Sequence, residues 1–154
     1  MTEDGVPIDA LHLARDGDLA VVLAHGFTLS WQHGAVWKVA RRLNRSAGVI
    51  AFDFRGHGRS GGKSTLGDRE VKDLGVAVAY ARELGYKRIA AIGFSMGASI
   101  VVRYAGLVGG IDAAVSVSGP GRWYYGAPTP CAGCTGQWSA GSAVSSPAPG
   151  STPG

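Results

Sequence analysis

The sequence has 154 residues, enough for one domain of ordinary size and too few for two, so a multidomain machine is excluded within it. Hydrophobic residues at 45% against 17% charged describe a chain that can bury a core, not one that stays unfolded over most of its length. Fifteen Lys and Arg against eleven Asp and Glu leave a net charge of +4 with no run of five or six like charges, which gives no footprint for nucleic acid.

The chain opens on MTEDGVPID, acidic where an export signal is basic, and no stretch of about 18 apolar residues is free of charge. Neither a membrane span nor a signal peptide is predicted, and the expected location is cytoplasmic. Residues 7–13 read as an edge or antiparallel strand. Residues 19–25, LAVVLAH, form a continuous apolar run stopped by Gly26, the pattern of a strand buried on both faces near a sheet centre. Residues 35–45 carry Val36, Val39, Ala40 and Leu43 at helical spacing, with Lys38, Arg41, Arg42 and Arg45 coating the wet side. Strand character returns over residues 48–54, which closes one βαβ unit.

From Asp68 to Leu84 the positions Val71, Leu74, Val78, Ala81 and Leu84 define an apolar stripe, and Glu70, Lys72, Asp73, Arg82 and Glu83 are expected outside it. Asp68 is the expected N-cap and Gly85 the C-terminal stop. A strand follows over residues 88–94, then an alanine-favoured helix over 96–107 and another strand over 112–117. Alternating strands and helices predict an α/β fold, a mostly parallel sheet with helices on both faces. Ligands of such sheets bind beyond the carboxyl ends of the strands, where this chain places its glycine-rich turns.

Three of those turns carry chemistry. Gly93-Phe94-Ser95-Met96-Gly97 matches G-x-S-x-G between a predicted strand and a predicted helix, a sharp turn that lifts a serine hydroxyl above the sheet. Small residues two positions either side let the backbones crowd together. Ser95 is therefore the candidate nucleophile, with a helix N-terminus facing any charge that develops on a substrate. Upstream, His25-Gly26-Phe27 ends the first central strand. The Phe27 and Met96 amides are candidates for two converging oxyanion donors, and His25 reads as a brace of the turn in preference to a general base. The third turn, DFRGHGRSGG over residues 53–62, lacks G-x-x-x-x-G-K-[ST] despite Gly62-Lys63-Ser64, so it is no phosphate loop. It reads as a loop organised by Asp53, Arg55 and His57.

With HGF after one strand, DFRGHGRSGG after the next and GFSMG at the elbow, residues 7–122 resemble the α/β-hydrolase superfamily, especially small serine esterases, monoacylglycerol-type lipases and serine aminopeptidase-like hydrolases. The resemblance implies Ser95 as nucleophile, Phe27 and Met96 as oxyanion amides, Asp53 and His57 as loop-shaping residues, a small acyl substrate, and no cofactor or metal. It also implies a triad in the order Ser, acid, His. Here His12, His25, His33 and His57 all precede Ser95, and Asp112 is the one acid after it. A serine hydroxyl without a base is a poor nucleophile, so little turnover is expected of these residues alone.

The 32 residues from Trp123 to Gly154 contain no charge but hold six Gly and five Pro, a composition that cannot offset its ordering entropy and is expected to be disordered. A truncated or out-of-frame end and a natural linker to a further domain both account for it. Cys131 and Cys134 form a CxxC pair within it that is read as chance, against redox or half-site metal alternatives. Loss of later strands would leave Val115 and Val117 on an open edge, through which the chain could pair with itself or with another protein.

Overall fold

The computed structural model describes residues 1–121; the expected tail, with Cys131 and Cys134, lies outside the described residues. The described elements run β1 (Ala10–Leu13), β2 (Leu19–Ala24), α1 (Gly34–Leu43), β3 (Gly48–Phe52), α2 (Glu70–Glu83), β4 (Arg88–Phe94), α3 (Met96–Leu107) and β5 (Ala113–Val117). They follow the sequence expectation in type and order. The sheet order is β1-β3-β2-β4-β5, with β1 antiparallel to β3 at one edge and the remaining pairs parallel.

Successive residues of a strand face opposite sides, and both sides of the central strands are covered. Val21 and Leu23 of β2, with Val49 and Ala51 of β3, pack with Val36 and Ala40 of α1. The alternate positions Ala20, Val22, Ile50 and Phe52 are also buried, on the side that carries α2 and α3. This is why the strands read as unbroken apolar runs. Each large side chain buried this way contributes roughly 1.5–3 kcal/mol. The cations Lys38, Arg41, Arg42 and Arg45 are all exposed, as the helical spacing requires.

Two expectations for α2 fail. The N-cap is Arg69, without a side-chain cap bond, so Asp68 does not serve. Its carboxylate instead meets the Arg103 guanidinium at 3.2 Å. The buried face keeps Leu74, Val78 and Ala81 of the expected stripe but also takes in Glu70, Asp73 and Ala77, while Leu84 is 40% exposed. Glu70 and Asp73 are in helical phase with Leu74, Ala77 and Ala81, and polar partners on neighbouring loops let two carboxylates occupy that face. Gly85 does end the helix, at φ +92.

The connections fix where a ligand can bind. β2 leads through α1 outward to β3, the chain recrosses through α2 to β4, and β5 continues in the other direction. Neighbouring strands β2 and β4 therefore send their following segments apart, opening a crevice beyond their carboxyl ends. The HGF turn and the elbow both stand there.

Candidate active site

Ser95 joins β4 to α3 at φ 52 and ψ −114, a backbone conformation rare for a residue with a Cβ. Its amide donates to the Val117 carbonyl at 2.9 Å, and its carbonyl accepts from Ala98 N–H at 3.1 Å. Neighbouring bonds thus hold the strain in place, and the residue is exposed. The flanking glycines are steric requirements. A Cβ on Gly93 would overlap the Gly97 carbonyl, and Gly97 is pressed against the end of β2.

Gly26 lies across the crevice from the elbow, its Cβ direction meeting the Ser95 Cβ at 3.4 Å and the Phe94 carbonyl at 3.5 Å. The next amide belongs to Phe27, whose ring is half exposed and packs edge-on against His57 at 5.4 Å. Met96 is buried at the first position of α3, where a helix amide has no acceptor within the helix. The structure therefore brings Ser95, Gly26, Phe27, Met96, Gly93 and Gly97 to one end of the β2–β4 pair.

His25 is fully buried with both ring nitrogens engaged. Nδ1 donates to the Gly26 carbonyl at 2.7 Å, which leaves Nε2 to accept from Phe54 N–H at 3.1 Å. Burial pushes its pKa below the ordinary value of 6.5, against the opposing pull of the Gly26 bond. A neutral imidazole with no free nitrogen braces the turn. His57 is stacked edge-on to His25 at 5.3 Å and spends Nδ1 on the Arg55 carbonyl at 3.0 Å. His12 bonds the Tyr86 hydroxyl, and His33 accepts from Ala35 N–H at the start of α1. Among the described residues no imidazole hydrogen-bonds the Ser95 hydroxyl. Asp112 precedes β5, where its carboxylate accepts from Ile89 N–H at the amino end of β4, the opposite end of the sheet from Ser95.

Asp53 is fully buried and joins two loops: Oδ1 accepts from Trp31 N–H at 2.7 Å and Oδ2 from Arg59 N–H at 3.0 Å. A Cβ on Gly58 would collide with this carboxylate. Arg55 is buried between two acids, Asp73 through Nε and Nη2 and Asp4 through Nη1 and Nη2, at 2.7–3.1 Å. The bond to Asp4 holds the guanidinium above its usual range, and Arg55 in return holds the Asp4 carboxyl well below the usual carboxylate range. Burial alone would raise Glu70, but bonds from Thr65 and Ser64 outweigh it and leave the carboxyl below 4.5; Gly67 N–H also donates to it.

Asp4, Asp9, Trp31, Glu70 and Asp73 were not singled out in the sequence as parts of this region. The signal available for Glu70 and Asp73 was their helical phase with buried apolar positions; Asp4 and Asp9 offered none, because their partners lie about fifty positions or more than twenty positions away. A groove of about 490 Å³ opens elsewhere, between the lead-in to β1 and α2, lined by Ile8, Asp9, Ala10, Val76, Tyr80 and Glu83 among others, and includes no elbow residue. No helix among the described residues is long and apolar enough to cross a membrane.

Known proteins resemble this chain in sequence and fold. A protein-family model described as the alpha/beta hydrolase family matches residues 21–151, running beyond residue 122 where the resemblance was expected to end. A monoacylglycerol lipase of Mycolicibacterium smegmatis is 39% identical over 112 residues, covering 65% of this chain and 37% of that protein. An esterase of Pyrococcus furiosus superposes with a TM-score of 0.73 at 38% identity, over 77% of this chain and 49% of that one. An alpha/beta serine hydrolase without a lid, from Xanthomonas campestris, gives 0.67 at 26% identity over 75% and 58%. The chain spans less than two thirds of the length of each of these relatives.

Proposed function

The chain belongs to the alpha/beta hydrolase family, and from that premise we propose that Ser95 is the nucleophile of a serine hydrolase acting on a small ester or amide. The Ser95 oxygen attacks the acyl carbon while its proton passes to a base. The negative charge that develops on the acyl oxygen falls between the amides of Phe27 and Met96, and the leaving alcohol or amine departs with a proton. Water then attacks the acyl-serine, returning the hydroxyl and releasing the acid. The observation that carries this reading is the strained Ser95 backbone at the end of β4, with Gly26 of the HGF turn packed against its Cβ. The esterase, lipase and lidless serine hydrolase named above support an acyl substrate.

Among the described residues no imidazole is hydrogen-bonded to the Ser95 hydroxyl, which leaves solvent water at this exposed position as the acceptor of its proton. His25 has both nitrogens occupied, His57 makes no bond to Ser95, and no histidine follows it in the 154 residues. We therefore assign these residues a weak, Ser95-dependent activity, resting on oxyanion donors without a triad. A fluorophosphonate probe tests this on the chain and on Ser95→Ala. Slow labelling that disappears in Ser95→Ala is expected; rapid labelling would reveal a working base, and equal labelling of both proteins would remove Ser95 as nucleophile.

A second reading is favoured by β5, whose residues Ala113, Ala114, Val115 and Ser116 are all exposed at the sheet edge among the described residues. In it the edge pairs with another strand, from a second copy or from a partner, and the elbow is not used for turnover. Hydrogen exchange at residues 113–117 as a function of protein concentration tests self-pairing: protection that grows with concentration is expected from it, and concentration-independent exchange excludes it.

A further inference from the structure

We propose that Asp9 is a positioning residue for the loop that carries the Phe27 amide, acting through the indole of Trp31. The meaning given to that loop rests on the serine-hydrolase reading; the clamp itself does not.

The segment between β2 and α1 has little to hold it. Its own bonds are two local turns, Leu29 N–H to the Gly26 carbonyl at 3.2 Å and His33 N–H to the Ser30 carbonyl at 3.1 Å. Thr28 sits at φ 62, and Phe27 and Thr28 are exposed. Besides the bond from Phe54 N–H to His25 Nε2 at its start, two bonds tie the segment to distant parts of the chain among the described residues, both from Trp31 and both to carboxylates. The backbone amide reaches Asp53 Oδ1 at 2.7 Å, and the indole Nε1–H reaches Asp9 Oδ2 at 2.7 Å. Hydrogen bonds to an ionised acceptor are the short, strong ones.

Asp9 is itself fixed on both sides. Its amide donates to the Ser60 hydroxyl at 2.9 Å, its carbonyl accepts from Asp53 N–H at 2.9 Å, and the Ser60 hydroxyl donates to the Asp53 carbonyl at 2.6 Å. Asp9, Trp31, Asp53 and Ser60 therefore close a ring of hydrogen bonds that joins the lead-in to β1 with the segments after β2 and β3. With both carboxylates in place, Trp31 is held at its backbone and at the far end of its side chain. Without Asp9 it hinges on the backbone bond alone, and the Phe27 amide four residues away loses its fixed distance from Ser95. A residue preceding the first strand thus sets a donor that follows the second.

Amide exchange by NMR tests the clamp on the chain and on Asp9→Ala, Asp9→Asn, Trp31→Phe and the Asp9→Ala/Trp31→Phe double variant. Phenylalanine keeps a ring for packing but has no N–H to donate, and asparagine keeps an acceptor oxygen. Asp9→Ala and Trp31→Phe are each expected to speed exchange of the Leu29 and Trp31 amides by about tenfold, with unchanged exchange at Val22 in the core. The double variant should go no further than either single, because both remove one bond, and Asp9→Asn should retain most of the protection. Unchanged exchange at Leu29 and Trp31 in Asp9→Ala overturns the proposal, as does an increase shared equally by Val22 or an additive double variant. The Ser95-dependent hydrolysis of p-nitrophenyl acetate separates the two claims: a rate that falls with Asp9→Ala and recovers with Asp9→Asn supports both. Loosened loop amides with an unaltered ester rate uphold the clamp and remove the Phe27 amide from the oxyanion site.

Discussion

A Cβ on Gly97 would lie 2.5 Å from the carbonyl oxygen of His25, and equally close to that of Ala24. Both neighbours are backbone at the end of a buried strand, so neither can swing away as a side chain would. Gly97→Ala must push α3 off β2, and overpacking of this kind costs about 1–3 kcal/mol. Urea unfolding should show the loss. An unchanged midpoint would mean that the helix and the strand are not in this contact.

Strain at the elbow predicts the opposite sign for another substitution. Ser95 holds φ 52 and ψ −114 with a Cβ, whereas glycine visits that region freely. Ser95→Gly is expected to be more stable than Ser95→Ala by about 1 kcal/mol, although both lack the hydroxyl. The two melting temperatures decide it: equal values would show that the turn relaxes to ordinary dihedrals in solution.

Arg55 offers a test of the buried acidic cluster. It is 2% exposed and Asp73 is fully buried. Arg55→Ala strands a buried carboxylate without its partner, which costs about 3–5 kcal/mol. Asp4→Ala leaves the Arg55–Asp73 pair intact and should cost less. Chemical denaturation of the two variants orders them, and the reverse order would contradict the geometry.

Acid should weaken the fold in two stages. Burial lowers the His25 pKa below 6.5, so as the pH falls past that value the unfolded chain takes up a proton that the folded chain refuses. The contribution of His25 is thus fully present above pH 6.5 and declines below it. Glu70, whose donors hold it below 4.5, adds a second loss as the pH falls through that range, because the unfolded carboxyl protonates first. Unfolding midpoints at pH 7.5, 5.5 and 4 should fall in order. The first drop should shrink in His25→Asn; an undiminished drop would assign it to another group.

The sequence by itself determined the elements, the parallel character of the central strands and the place of the elbow. Those features follow from patterns within short stretches: apolar runs for strands covered on both faces, a 3.6-residue period for the helices, and small residues around Ser95 where backbones touch. The α2 stripe is legible at Leu74, Val78 and Ala81 but not at Glu70 and Asp73, because periodicity ranks positions by hydrophobicity. It cannot know that Arg55 and the amides near Thr65 and Gly67 make Asp73 and Glu70 acceptable in the interior. Only the tertiary structure decided which side chains meet over long separations. Asp9 with Trp31, Asp4 with Arg55, both nitrogens of His25, and Asp112 at the wrong end of the sheet are of this kind. A hydrogen bond depends on distance and direction between its two atoms, and those are fixed by how the whole sheet is ordered, not by the residues adjacent in the chain.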